Sequence, residues 1–405
     1  MKLTKMSLVA ALLIGSSAFA IENTAVSGNA QMFYNTTDGG GDLFDQSQSA
    51  ADFGFNLNLT SDLVKTDSVA VSAGAGATVL ATLGLENNLV SGVWGNAHTL
   101  TGSKVDNAMW MNEAWLAATA GKTTFKLGRM ELDTPLAFTE AWTIEKNTFE
   151  GLVLINEDIP STTLVGAYIG NGNGTEGFGA TVPSASIAMG GVVNADGEFT
   201  TYGTDGAYAI GAINNSFEPL TLQAWYYNIT DLTDAYWLQA DLNIEGIMAG
   251  AQYSGHTLDA AGSKEDNVYA LMLGYEMTDM FTAKIAYSEV NKDGSLGYAG
   301  FNTATDITYA QSKLYTEAWW NYGQITIQGA KSMNLTLETP AAGYADLGLY
   351  ITDIDHVAAN SDLLEVTATV SKSFGPLDTS LAYIYTDVDG SDSVNILQAY
   401  LTLNF

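Results

Sequence analysis

The chain has no cysteine, which excludes disulfide scaffolds, cysteine-ligated zinc and thiol nucleophiles together. It is also poor in positive charge. Fourteen lysines and arginines stand against 45 aspartates and glutamates, for a formal net charge of −31. A nucleic-acid binder needs a basic face to meet phosphate, and this chain cannot build one. Charged residues of both signs reach only 15% of 405 residues, where soluble chains carry about a quarter. Proline is scarce too, at six, and 47% hydrophobic residues with 11% aromatics are enough to fold rather than stay disordered. Beyond residue 20 there is no run of about 18 apolar residues, so no helical membrane span is expected. An apolar yet acidic chain without a spanning helix calls for another architecture.

The first residues supply a compartment. Lys2 and Lys5 are followed by an apolar stretch at 8–14 and by Ala18-Phe19-Ala20, small residues at both positions of a cleavage site. This pattern predicts a secretory signal peptide over 1–20, with 21–405 as the exported body. Its removal takes two lysines and leaves a net charge of about −33.

The body alternates with period two. Leu397, Ala399, Leu401, Leu403 and Phe405 share one face of the last segment, and Gln398, Tyr400, Thr402 and Asn404 the other. Tyr236 to Glu245, Leu364 to Ser371 and Phe281 to Ser288 repeat the pattern. Short turns near 61–66, 120–121, 158–161, 217–219, 245–246, 278–279, 322–323 and 375–376 separate these segments. Long Gly/Asn/Asp/Ser/Thr-rich loops fall at 36–50, 86–107, 131–149, 171–203, 291–312 and 333–361, with shorter ones near 230–234, 256–266 and 388–392. The count predicts eighteen strands, starting near 24, 51, 69, 109, 122, 150, 161, 204, 219, 235, 246, 267, 280, 314, 323, 363, 377 and 393. Sixteen is the rival, because 184–193 and 204–213 compete for the eighth strand.

An even number of strands, with tight turns on one side and long loops on the other, predicts an all-β, transmembrane antiparallel β-barrel with periplasmic turns and extracellular loops. Lipid cannot satisfy backbone polar groups, so a spanning sheet must close on itself. About 10 tilted residues cross the hydrocarbon, the length of most of these segments. The last segment ends in Phe405, the aromatic terminus seen in barrel porins.

One segment carries a resemblance. Leu127-Gly128-Arg129-Met130-Glu131-Leu132-Asp133-Thr134-Pro135-Leu136, then Trp142 and Asn147-Thr148-Phe149-Glu150-Gly151-Leu152, resembles the strand end, third loop and next strand of OprD-type outer-membrane porins. The same stretch is similar to that of the major outer-membrane porins of Campylobacter and other epsilon-proteobacteria. The match covers about 25 residues. The resemblance implies an 18-stranded barrel in the outer membrane of a Gram-negative bacterium, often a homotrimer, with a third loop folded into the pore. The chain departs from the family in having a single arginine, Arg129, instead of a lumenal ladder of basic residues.

An eighteen-stranded barrel is too wide for its own side chains to fill, so permeability depends on what narrows it and on the charges there. Loop 131–149 is the expected constriction. Glu131, Asp133, Glu140 and Glu145 would face Lys126 and Arg129 across it. Alternation puts Lys126 in the lumen with Thr124 and Lys122. Arg129 shares the parity of Phe125 and Leu127, and would be lumenal only if the register broke at the strand end. The acidic balance predicts cation selectivity. Aromatics such as Tyr226-Tyr227, Tyr236-Trp237, Trp319-Trp320, Tyr383, Tyr385 and Tyr400 are expected in girdles at the lipid headgroups and lipopolysaccharide.

Signals for catalysis are weak. His98, His256 and His356 are isolated in expected loops, and no G-x-S-x-G occurs. Asp387, Asp389 and Asp392 read as D-x-D-G-x-D, a calcium-like spacing without the bidentate glutamate of an EF-hand. The expected function is passive diffusion of small polar solutes and cations, with no cofactor. A surface-exposed adhesive barrel with a plugged lumen is the alternative.

Overall fold

The computed structural model describes residues 22–93, 108–141, 144–174, 192–194, 197–308, 310–341, 343–356 and 361–405. The signal segment read at 1–20 lies outside them.

Period-two segments become eighteen long strands. They are β1 (Glu22–Thr37), β2 (Ser49–Lys65), β3 (Val69–Leu80), β4 (Ala108–Ala120), β5 (Thr123–Met130) and β6 (Phe149–Asn156). Next come β7 (Thr162–Gly172), β8 (Ala207–Phe217), β9 (Leu220–Ile229), β10 (Thr233–Ile244), β11 (Ile247–Leu258) and β12 (Asp266–Met277). The last six are β13 (Phe281–Val290), β14 (Ala330–Ala341), β15 (Ala345–His356), β16 (Leu363–Phe374), β17 (Leu377–Val388) and β18 (Val394–Asn404). Each pairs antiparallel with its neighbours in chain order, and two-residue strands at Gly92–Val93 and Thr200–Thr201 extend the loop-end rim.

The sheet closes where β18 pairs with β1, Ala30 opposite Leu403 and Thr36 opposite Leu397. Gly28 and Phe405 exchange two backbone hydrogen bonds of 3.0 Å each, and the Phe405 ring stacks on Phe55 with centroids 5.4 Å apart. A Cβ at Gly28 would lie 2.2 Å from the Asn56 carbonyl oxygen and 2.7 Å from the Phe405 ring, so this seam requires glycine. Closure leaves the barrel without a free edge, the condition for a sheet in lipid.

The pleat sorts side chains by face. Leu116, Leu127 and Leu152 lie abreast on β4, β5 and β6, and Ala118, Phe125 and Leu154 form the next outward row. On β12, Leu271 and Leu273 remain 54% and 64% exposed, while Val268 and Ala270 on the opposite face are fully buried. The outside is thus an apolar band and the inside a packed, largely polar surface. Tyrosines decorate the outer band near the loops. Tyr269 and Tyr287 both donate to Glu289, and Tyr226 donates to Asp234. Adjacent aromatics are split by the pleat. Tyr226, Tyr236 and Tyr383 face out, whereas Tyr227 and Trp237 are buried inside. Trp319 and Trp320 belong to a lumenal loop, so these inner rings are not a girdle.

Two expected strands are misplaced. Residues 314–329 form no strand; they belong to one loop, 291–329, carrying a short 3-10 helix at Tyr322–Thr326. The true strands are Ala330–Ala341 and Ala345–His356, which take up most of the segment expected to be loop 333–361. Leu314, Trp320 and Ile325 are apolar because they are buried in the lumen, without a period of two. Polar and proline residues in 330–341 mask a real alternation in which Met333, Leu335 and Leu337 share the outward rows of β13 and β15. Of the two candidates for the eighth strand, the second is observed, as β8.

Candidate functional site: the loop-lined lumen

Two long loops fold inward and hold each other. Loop 131–148 leaves β5, makes a tight turn at Thr134 (its hydroxyl bonding Ala137 carbonyl at 2.7 Å), and drives Leu136 into the wall cluster of Trp225, Tyr227 and Trp237. Loop 291–329 meets it there. Thr303 donates from both its N–H and its hydroxyl to Leu136 carbonyl, at 2.9 and 2.6 Å. Asn302 accepts from Phe138 N–H at 3.1 Å and donates back to Phe138 carbonyl at 2.9 Å.

Glu140 is the latch. One of its oxygens accepts from Asn302 Nδ2 at 2.8 Å, Thr305 Oγ1 at 2.7 Å and Gln311 N–H at 3.0 Å. It is 1% exposed, and Glu145 is buried as well, so neither borders water. Both were expected among the constriction charges. The acidity of Glu140 serves instead to tie one loop to the other, because a buried carboxylate is tolerated only where several donors surround it.

The longer loop is anchored to the far wall by a second carboxylate. Glu365 of β16 accepts from the backbone N–H groups of Trp319, Trp320 and Asn321, at 2.8, 3.1 and 2.8 Å, and from Asn321 Nδ2. Asp266 of β12 accepts from Leu296 and Gly297 N–H. The histidines serve the same purpose. His256 accepts from Gly300 N–H at 3.2 Å, and His356 contacts Gln324 carbonyl at 3.1 Å. Both lie in strands rather than the expected loops, and His98 lies outside the described residues. Glu317 is buried within the loop. Burial pushes its carboxyl well above the usual range against the pull of the Ser312 hydroxyl and N–H, and Glu140 and Glu365 add to the rise.

Other charges of these loops do face open space. Glu131 and Asp133 are 42% and 91% exposed at the side chain, paired with Lys146 and with Lys313. Lys126 lies on the lumenal face with its ammonium 4.3 Å from the Trp115 ring centroid, and Trp115 donates to Glu113 at 3.2 Å. Glu113 shares this face with Trp115 by alternation, and a bulge lies just before it. Gly76 pairs with Glu113 and Ala77 with Met111, so one residue of β4 is extra and the parity inverts for the residues before it, with Met109 and Met111 facing out.

Arg129 is elsewhere. The register does not break: Ala114, Arg129 and Glu150 form one row, of the same parity as the outward row of Leu116, Leu127 and Leu152. Its guanidinium bonds Glu150 at 2.6 Å, donates to Met111 carbonyl and stacks 4.0 Å from the Phe199 ring. Asn171 completes the cluster by donating to Glu150 at 2.7 Å. Arg129 and Glu150 therefore clamp neighbouring strand ends on the outer wall and contribute nothing to a field across the pore. Arg129→Ala should lower thermal stability by no more than about 1 kcal/mol, as partly exposed pairs do, and leave the reversal potential unchanged. A shifted reversal potential would return this residue to the permeation path.

The calcium-like triplet also stays apart from the lumen. Asp387 is the penultimate residue of β17, with Asp389 and Asp392 in the loop that follows. Among the described residues no group of three or more His, Asp or Glu could hold a metal ion.

These features define a class: a closed antiparallel β-barrel of eighteen strands, apolar outside, with two interlocked loops packed across its interior. No family model matches the chain, and no curated protein matches it. Solved structures do. OccK9 (OpdG) of Pseudomonas aeruginosa superposes with a TM-score of 0.72 at 14% identity, covering 96% of this chain and 100% of that one. OccK8 (OprE) of the same organism gives 0.71 at 15% identity, covering 96% and 100%. P. aeruginosa OpdK, crystallised with vanillate, gives 0.71 at 12% identity, covering 95% and 99%. At such identities what is shared is the fold.

Proposed function

We propose that this protein is an outer-membrane porin of the OprD type, in a Gram-negative bacterium, through which small polar solutes and ions diffuse passively. The observation that supports this best is the pairing of an apolar outer band with an inside whose loops leave charged groups exposed to water. A sheet of this kind is stable only where hydrocarbon covers the outside and water wets the inside. The structural likeness to P. aeruginosa Occ proteins supports the same reading. The motif at Gly128, Arg129, Thr134, Pro135, Glu150 and Gly151 supports placement nearest the epsilon-proteobacterial major porins, with lipopolysaccharide and two further copies of the chain as partners.

The filter would be the narrowing bordered by Glu113, Lys126, Glu131, Asp133, Lys146 and Lys313. It would favour cations, because the chain carries 45 acids against 14 bases and such a surplus concentrates counter-ions. Purified protein in planar bilayers should open stable water-filled channels whose reversal potential in a salt gradient has the sign of cation preference. Glu131→Gln with Asp133→Asn should move that potential toward zero. Anion preference in the unaltered protein refutes the selectivity, and silent bilayers favour a plugged scaffold.

A further inference from the structure

The geometry points to a binding subsite for small organic cations, held between loop 291–329 and the lumenal wall; the inference rests on the channel reading. A cavity of about 610 Å³ lies there, lined among others by Tyr315, Trp319, Tyr350, Tyr400, Glu338 and Lys284. Its size falls in the range of small-molecule sites, about 300–1,000 Å³.

The rings are held in place. Trp319 follows the backbone clamped by Glu365, and its ring packs on Tyr350 with centroids 4.9 Å apart. Tyr315 donates to Asp241 of β10. Tyr400 donates to Gln398 at 2.8 Å and packs on Phe33. Aromatic faces fixed in advance cost a ligand little ordering entropy, and their negative faces attract a cation.

Glu338 supplies the charge. It is exposed to the cavity, and one oxygen accepts from Tyr350 hydroxyl at 2.8 Å. Its other oxygen makes no hydrogen bond among the described residues. A second cavity, of about 360 Å³, shares Glu338 and Tyr350 and adds Glu276, Asp279 and Asp346, with no lysine or arginine in its lining. Glu338 thus stands at the junction of an aromatic chamber and an acidic mouth. A solute bearing a carboxylate is repelled there, whereas an amine or quaternary ammonium meets a carboxylate and a ring together. A bare metal ion has no comparable grip, since among the described residues no three ligating groups converge. Lys284 opposes the bound charge, so that occupancy is weak enough for release, as conduction requires.

The test uses the whole protein in planar bilayers, with phenyltrimethylammonium added to potassium chloride. The cation should reduce the current at millimolar concentration. Glu338→Gln, which keeps an acceptor for Tyr350, and Trp319→Leu should each weaken the block by about 5- to 10-fold. Maltose and benzoate at the same concentration should block less. Conducting channels that resist the cation, or that are blocked equally in Glu338→Gln, overturn the subsite alone. Equal block by maltose overturns it in favour of a sugar site. Silent bilayers overturn the channel reading and the subsite with it.

Discussion

Excising residues 298–326 should raise single-channel conductance by at least about twofold, because current through a wide barrel is set by what narrows it. This segment spans from the β11 wall, through His256, to Glu365 on β16. It fills lumenal space with Phe301, Leu314, Trp320 and Ile325, all buried. Its removal uncovers Trp237, Val268 and Ile354, so thermal stability should fall as conductance rises. Bilayer recordings and a melting curve on one preparation check both. Unchanged conductance would mean that the limiting aperture is elsewhere, and excision of loop 131–149 would then be the deciding comparison.

The second large effect is expected at Glu140. Replacing it with alanine takes one acceptor from Asn302, Thr305 and Gln311 at a site closed to water. Donors left unsatisfied cost about 1–3 kcal/mol each, so about 3 kcal/mol of loop–loop coupling should be lost. The barrel has its own closed ladder and should persist, while the loops come apart from each other. The expected readouts are noisy openings between several current levels and protease cleavage within 291–329 that the parent resists. Quiet single-level channels would show that Leu136 and its wall cluster hold the loops without the latch.

The barrel was legible because its governing pattern is local. Faces alternate by residue number, so Leu397 to Phe405 and Tyr236 to Glu245 declare inside and outside without knowledge of any partner. Strands β14 and β15 escaped because that logic runs in one direction only. Apolar residues at 314–329 are buried by a loop that travels to them, an event with no period in sequence. The site was harder for the same reason. Glu131 and Asp133 remain at an aqueous surface because they follow a strand end, whereas Glu140 is hidden by Asn302, more than 160 residues away. Lys313 was concealed by the mistaken strand beginning at 314. Arg129 is different. Its parity already pointed outward, and the family-like motif around it describes how two strand ends are clamped.

The antiparallel seam also constrains how such a wall can grow or shrink. β1 runs toward the loop rim and β18 runs away from it, so the two ends of the ladder emerge at the short-turn side together. Losing or gaining one strand would leave the first and last running the same way, so that the seam would have to be rebuilt as a parallel pair. While this antiparallel closure is kept, circumference changes in units of two, a whole hairpin at a time, and single-chain lineages built on this plan should differ by even numbers.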